Sequence, residues 1–87
     1  MQIETRDMHA IVNRAKRAHG HLGKVITMME EGADCEAVLT QLSAVLKALE
    51  RTGFQVVATG LQQCIAEGDR PDSVDVKKLE KLFLGLA

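Results

Sequence analysis

The stretch that decides the fold covers residues 35–64 and reads CEAVLTQLSAVLKALERTGFQVVATGLQQC. Its apolar residues recur every three or four positions, which is the spacing of a helix with one buried face. That face carries Val38, Leu42, Val45, Leu49, Val56 or Val57, Leu61 and Cys64. Asp34 is a favourable N-cap, so Cys35 falls in the first helical turn. The pattern predicts one long amphipathic helix that begins here and ends before a loop at residues 67–71.

Two glycines, Gly53 and Gly60, interrupt this helical pattern. In an alternative interpretation the chain breaks near Thr52-Gly53 and folds Cys64 back towards Cys35. The segment contains neither a proline nor a polar cluster, and isolated glycines are tolerated inside helices. A continuous helix is therefore the favoured interpretation.

The two cysteines of the chain lie at opposite ends of this predicted helix, 29 residues apart. At about 1.5 Å of rise per residue they are separated by roughly 43 Å, so the thiols of one chain cannot meet. Twenty-nine steps of about 100° close to within about 20° of whole turns, so both lie on one face. An antiparallel second copy would pair Cys35 with the other chain's Cys64 twice, around a dyad near Leu49 and Glu50. The spacing predicts a site shared across a dimer.

Apolar residues at helical spacing also define a first helix over about residues 5–30. They are Met8, Ile11, Ala15, Ala18, Leu22, Val25 and Met29. Gly32 predicts the end of this helix, and Asp72 or Ser73 caps a short third helix. The apolar face of that third helix is Val76, Leu79, Phe83 and Leu86. We predict an all-α, three-helix protomer in a single domain, residues 1–87, whose core is completed by another subunit.

The composition narrows the class of protein. The chain has 87 residues, two Phe and no Trp or Tyr, which suits a small helical domain. The N-terminal residues 1–7 are polar, and no apolar run is long enough for a membrane span, so we expect a cytoplasmic protein without membrane contact. In that compartment two lone cysteines indicate reactivity or metal binding. No catalytic motif is recognisable, so we expect no enzyme activity.

Basic residues concentrate at the N-terminal end of the chain. Residues 1–30 carry five basic and three acidic residues, whereas the other 57 carry six and nine, for a net charge of −1. One row of one helix face consists of Arg14, Arg17, His21 and Lys24, with Lys16 off the row. Such a row either is solvated surface charge or contacts phosphates, and it lacks interleaved acids. No helix-turn-helix or zinc-finger motif accompanies it.

The two thiols are expected to play different parts. Cys35 meets the positive end of the helix dipole, which favours thiolate, whereas Cys64 near the C-terminus suits a resolving or second-ligand role. Both could instead be small core residues. A third metal ligand would come one turn before Cys64, where Gly60 has no side chain. Two thiolates alone favour sulfur bridging, and linear Cu(I) stays open.

Three segments together resemble the CsoR/RcnR/FrmR family of bacterial repressors over nearly the whole chain. Arg14-Ala15-Lys16-Arg17-Ala18-His19-Gly20-His21 resembles the block Arg-Leu-x-Arg-Ile-x-Gly-Gln of the family, with His21 in place of Gln. The second-helix pattern is matched by Cys35, Val38, Leu39, Gln41, Ala44, Val45, Ala48 and Leu49. Leu61 and Cys64 match the segment His-Leu-x-x-Cys, in which Gly60 replaces the histidine.

The resemblance implies an antiparallel dimer with reciprocal sites, a dimer-of-dimers tetramer, and binding to double-stranded operator DNA that an effector releases. The expected DNA contacts are Arg14, Lys16, Arg17, Lys24 and Arg51. Copper sensors of the family bind Cu(I) with Cys, His and Cys, and this chain keeps only Cys35 and Cys64. It is therefore similar to the persulfide-sensing CstR branch. Glu80 matches an acid beside the copper ligands, whereas Gln2 does not supply the N-terminal proline of the formaldehyde-sensing branch.

The leading hypothesis is a repressor that senses persulfide or polysulfide without a cofactor. Cys35 attacks the donor and becomes bridged to Cys64 of the neighbouring chain. The alternative is a Cu(I)-responsive repressor in which Cys35 and Cys64 are the metal ligands. A hypothesis of another class is a helical oligomerisation module with no role on DNA.

Overall fold

The computed structural model describes residues 2–86, which form three helices and no strand. The helices are α1 (Thr5–Glu30), α2 (Cys35–Ala66) and α3 (Val74–Leu86). α1 and α2 form an antiparallel hairpin. The start of α1 lies beside the end of α2, where the backbone N–H of Glu4 donates to Gln63 Oε1 at 3.2 Å. Within the described residues, α3 is in contact with α2 and not with α1. The prediction of an all-α fold with two long helices and one short helix is confirmed.

α2 runs without a break through both glycines. The alternative in which Thr52-Gly53 folds the chain back is therefore wrong. A Cβ added at Gly53 would lie 3.1 Å from Leu86 Cδ1, so this glycine gives room for close approach of α3. Asp34 caps the helix as predicted, since its carboxylate accepts the backbone N–H groups of residues 36 and 37 at 3.1 and 3.3 Å.

Both long helices end in the same way. Gly32 (φ +72°) follows α1 and Gly68 (φ +87°) follows α2, in a conformation that glycine adopts without steric cost. The backbone N–H of the residue after each glycine donates a hydrogen bond to the carbonyl five residues earlier. Ala33 donates to Met28, and Asp69 donates to Cys64, both at 2.9 Å. The predicted stops are confirmed. Ser73 caps α3, because its Oγ accepts the N–H of residue 76 at 3.2 Å.

The core of the described protomer is thin. Its buried apolar residues are Ile11, Ala18, Val25, Val45, Cys64 and Leu79. Members of the predicted faces lie outside it: Met29, Leu49, Leu61, Phe83 and Leu86 are all more than a third exposed. They are exposed because each helix covers only a narrow strip of its neighbour, and exposed apolar faces of this extent mark association surfaces. Within residues 2–86, no helix is both long enough and apolar enough to cross a bilayer.

Candidate functional site

The two thiols are separated by the whole length of α2. Cys35 is the first residue of the helix and Cys64 its third from last. Because α2 is continuous, the rise of about 1.5 Å per residue places them roughly 43 Å apart, and both are free thiols. Within one protomer the structure does not bring them together. The predicted shared site therefore requires a second copy.

Cys35 is exposed and borders an open groove along α2. The groove is lined by Asp34, Glu36, Leu39, Thr40, Ser43, Ala44 and Lys47 as well as by the thiol. The first turn of α2 is held by the Asp34 cap described above, so the position of the Cys35 thiol is fixed by the start of the helix. A dissolved small molecule can reach this sulfur without any change in the protein.

Cys64 has the opposite environment. Cys64 is only 4% exposed. Its Sγ lies within 4.8 Å of one carboxylate oxygen of Asp69 and of one carboxylate oxygen of Asp75. Burial raises the pKa of the Cys64 thiol, and a hydrogen bond with Asp69 and the charges of Asp69, Asp75 and Glu67 raise the pKa further. Cys64 is thus held as a protonated, protected thiol. This suits the predicted secondary role and opposes a role as the first nucleophile.

Asp69 and Asp75 were missed by the sequence reasoning. Asp69 comes directly after the glycine that ends α2, and its N–H bond to the carbonyl of Cys64 carries its side chain back over that turn. Asp75 is in the first turn of α3. The Gly68-Asp69 pair after a helix was a signal for the first of them, because this cap fixes which residue returns to the helix. The position of Asp75 depends on the docking of α3, which the sequence does not specify.

Gly60, one turn before Cys64, is buried beneath apolar side chains. A Cβ added there would lie 3.2 Å from Leu79 Cδ2 and 3.6 Å from Ile3 Cδ1. The place from which a third ligand was expected to project is thus filled by hydrocarbon. Glu80, which follows Leu79, lies instead at an apolar groove between α2 and α3, and it is not among the donor atoms gathered around Cys64.

A basic cleft lies between α1 and α2. It has a volume of about 330 Å³ and is lined by Arg14, Arg17, Ala18, His21, Ala48 and Arg51. His21 Nε2 also lies 2.7 Å from Gln41 Oε1, a hydrogen bond that joins the two helices. Among residues 2–86, no carboxylate lies within ion-pair distance of the three arginines; the ion pair found is Arg6 with Glu4, at 2.8 Å. The cleft therefore offers uncompensated guanidinium groups to an anion.

The structure brings together only part of the predicted basic set. Arg14, Arg17 and Arg51 meet in the basic cleft. Lys16 and Lys24 are exposed on α1 and do not line it. Arg51 is far from the basic row in sequence. It lies beside that row because α2 packs against α1.

The chain belongs to the metal-sensitive transcriptional repressor family, whose family model matches residues 7–84. The family resemblance is thereby confirmed, and so is the expectation that the chain is not an enzyme. Its assignment to the persulfide-sensing branch stays a prediction.

Three relatives illustrate the similarity. The copper-sensing transcriptional repressor CsoR of Mycobacterium ulcerans is 42% identical over 57 residues, 66% of this chain and 49% of that protein. CsoR of Mycobacterium tuberculosis is 36% identical over 62 residues, 71% of this chain and 52% of that protein. The uncharacterised protein YrkD of Bacillus subtilis is 45% identical over 40 residues, 46% of this chain and 64% of that protein. The chain thus spans about half the length of the copper sensors. No solved structure gave a significant match.

Proposed function

We propose that this repressor senses a sulfane-sulfur donor, such as a persulfide, through Cys35 of one protomer and Cys64 of a neighbour, and then releases its operator DNA. The observation that carries the proposal is the packing at Gly60. The chain contributes two sulfurs to such a site, one exposed and one buried, and the expected place of a third ligand is occupied by Leu79 and Ile3. Two sulfurs without a histidine one turn before Cys64 suit a covalent sulfur bridge, because the carboxylate oxygens near Cys64 are hard donors that Cu(I) does not favour.

An antiparallel dimer supplies the second thiol. The N-terminal half of α2 exposes Leu39, Leu46 and Leu49, which share a face of the helix with Cys35. A second α2 laid antiparallel on this face would bury these leucines and bring each Cys35 towards the opposite Cys64. The exposed apolar residues of α3, which include Leu82 and Leu84, leave a further surface for a dimer of dimers.

The reaction requires no oxidant besides the persulfide itself. The exposed Cys35 thiolate attacks the outer sulfur of R–S–SH, expels R–S⁻ and becomes Cys35–S–SH. Cys64 of the neighbour, after losing its proton, attacks the inner sulfur and expels HS⁻, which leaves a disulfide between chains. One persulfide and two thiols thus yield one disulfide, one thiol R–SH and one H₂S. A second donor molecule would lengthen the bridge by one sulfur.

The basic cleft is the proposed DNA contact. Guanidinium groups without carboxylate partners bind phosphate with an affinity that falls as salt rises. A symmetric oligomer repeats the cleft and so extends the contact along the duplex. Release follows if the bridged oligomer presents its clefts at a different spacing, because an effector acts only through a difference in DNA affinity between two states. Lys16 and Lys24 would add contacts outside the cleft.

The second candidate effector is Cu(I). The names of the mycobacterial relatives favour it, since both are copper-sensing repressors. Two cysteine thiolates suit a linear Cu(I) ion, because soft sulfur ligands select this metal. In this version Cys35 and the neighbour's Cys64 are the ligands and Cu(I) is the cofactor.

The test uses reduced protein under anaerobic conditions with DNA fragments that were selected in vitro for binding to it. Adding an organic persulfide should release the DNA and produce a covalent dimer in non-reducing intact mass spectrometry. Cys35→Ser and Cys64→Ser variants should keep the DNA bound. If persulfide leaves DNA bound, whereas stoichiometric Cu(I) with a competing chelator releases it, the copper alternative replaces the proposal.

A further inference from the structure

The His21 ring lines the basic cleft and also joins the two long helices. Its Nε2 lies 2.7 Å from Gln41 Oε1, across the contact between α1 and α2. The ring is half-buried, whereas Gln41 is exposed. The fold thus places a titratable side chain, fixed by an uncharged partner, in the cleft that holds three arginines.

Gln41 fixes which ring nitrogen of His21 carries hydrogen. An amide oxygen only accepts hydrogen bonds, so Nε2 must donate, and it keeps its hydrogen in both charge states of the ring. Nδ1 is then a bare acceptor in the neutral ring and a donor in the charged ring. Nδ1 makes no hydrogen bond to the described residues. Protonation therefore changes only the nitrogen that is left for a ligand.

The charged side chains that line the cleft beside His21 are all positive. Arg14 and Arg17 come from α1 and Arg51 from α2, whereas α3 is not in contact with α1 within the described residues. No carboxylate of residues 2–86 lies within ion-pair distance of His21. An anion that enters the cleft is therefore the group that can accept a hydrogen bond from a protonated ring.

We infer that His21 in its protonated state contacts a backbone phosphate of DNA, and that Gln41 is the residue that positions it. The inference rests on the proposed contact between the basic cleft and DNA. A phosphate oxygen and the bare Nδ1 of a neutral ring both only accept, so they cannot hydrogen-bond to each other. A protonated Nδ1 donates to the oxygen, and the opposite charges strengthen that bond.

Phosphate binding and proton uptake are therefore linked. A phosphate in the cleft stabilises the charged ring, and by reciprocity the charged ring stabilises the bound phosphate. Each occupied cleft takes up at most one proton, which moves from solvent to Nδ1 without the breaking of any other bond in the protein. Histidine changes its charge between about pH 5 and pH 8, whereas arginine stays charged throughout. The affinity for DNA should rise as pH falls through this range.

The first experiment uses no DNA. Proton–nitrogen correlation spectra of the histidine rings are recorded on reduced protein across this pH range, with sulfate as the probe or with chloride at equal ionic strength. We expect hydrogen on Nε2 of neutral His21, and a titration midpoint that sulfate moves to higher pH. His19, which is exposed on the same helix and does not line the cleft, is the internal control and should move less. Gln41→Ala should leave neutral His21 as a mixture of both ring tautomers.

The second experiment measures binding to duplex DNA, selected in vitro, at constant ionic strength. The affinity of the parent should rise at least about fivefold from about pH 8 to about pH 6. His21→Gln keeps an uncharged side chain that can hydrogen-bond, and its affinity should rise less than about twofold. His19→Gln removes a histidine outside the cleft and should keep the rise of the parent. Circular dichroism verifies that both variants are folded.

The outcomes separate this inference from the proposed function. The inference alone is overturned if sulfate leaves the His21 midpoint where chloride does, or if His21→Gln keeps the pH dependence of the parent. DNA binding without pH dependence would also overturn it and leave the persulfide proposal intact. A protein that shows the sulfate effect but binds no DNA at any pH would overturn DNA as the source of the phosphate, and with it the proposed DNA contact.

Discussion

Leu79 of α3 lies directly against Gly60 of α2, so close that a Cβ at Gly60 would be 3.2 Å from Leu79 Cδ2. Gly53, Gly60 and Cys64 continue the helix face that begins at Cys35. α3 covers the second half of this face, whereas the first half is open. For the proposed bridge to form, a neighbour's Cys35 would reach Cys64 only if α3 or the loop before it moves. In that proposal the docking of α3 is a gate to the second thiol.

The packing at Gly60 can be tested by comparing the stability of an alanine substitution there with that of the same substitution at Gly20, which has open space around it. Gly60→Ala and Gly20→Ala gain the same helix propensity, up to about 1 kcal/mol. A Cβ at Gly20 meets nothing within 4 Å, whereas one at Gly60 presses on Leu79. We expect Gly60→Ala to be less stable than Gly20→Ala by at least about 1 kcal/mol in denaturant unfolding. Equal stabilisation by both substitutions would show that α3 does not pack as described.

Removal of the Leu79 side chain should open the gate. Leu79→Ala is expected to cost about 2–5 kcal/mol, because it empties a buried position. In a Cys35→Ser background it should also accelerate alkylation of Cys64 at least tenfold, as followed by intact mass spectrometry. Lys81→Ala, at an exposed polar position of the same helix, is the control and should change stability by less than about 0.5 kcal/mol. Slow alkylation in both variants would contradict the gating role.

The pH dependence of Cys64 follows from its neighbours. The pKa of this thiol is raised by burial, by the Asp69 hydrogen bond and by acidic charges, so Asp69→Asn should lower it. In a Cys35→Ser background, the alkylation rate of Cys64 should then rise at lower pH than in the parent. An unchanged or alkaline-shifted rate profile would contradict the assigned cause.

The same raised pKa has a consequence for stability. The folded protein holds the Cys64 proton to higher pH than the unfolded chain does. Its contribution to stability is therefore present below the unfolded thiol's pKa and is lost as pH rises through the folded value. Denaturant unfolding across the alkaline range should show this loss, and Cys64→Ala should reduce the slope. A parent whose stability is flat across that range would argue against the environment of Cys64 described above.

The basic cleft makes a separable prediction about DNA. Arg14→Ala, Arg17→Ala and Arg51→Ala should each weaken binding, and each should lower the slope of log affinity against log salt by about one. Arg70→Ala, at an exposed loop position, removes the same charge elsewhere and should leave the slope unchanged. If the cleft variants behave like the Arg70 control, the chain would fit an oligomerisation module without a role on DNA.

Much of the fold could be predicted because its determinants are local. Asp34, Gly32 and Ser73 act on backbone groups within a few residues, so they fixed the ends of the helices in advance. The burial of Gly60 and the convergence of Asp75 on Cys64 depend on where α3 docks. No periodicity within one helix reports that docking, because it is set by contacts between residues distant in sequence. The same limit explains why Leu49 and Leu61 were expected in the core and are exposed.

A bridge between Cys35 and Cys64 of different chains is tested most directly by mixing two variants that each keep one of the cysteines. Isotope-labelled Cys35→Ser, which keeps Cys64, is combined with unlabelled Cys64→Ser, which keeps Cys35, and persulfide is added. We expect a covalent heterodimer in non-reducing intact mass spectrometry, equal in mass to the two chains less two hydrogens, with or without added whole sulfur atoms. Neither variant alone should form comparable dimer. An equal amount of homodimer from either variant, or persulfidated monomers only, would contradict a bridge between Cys35 and Cys64.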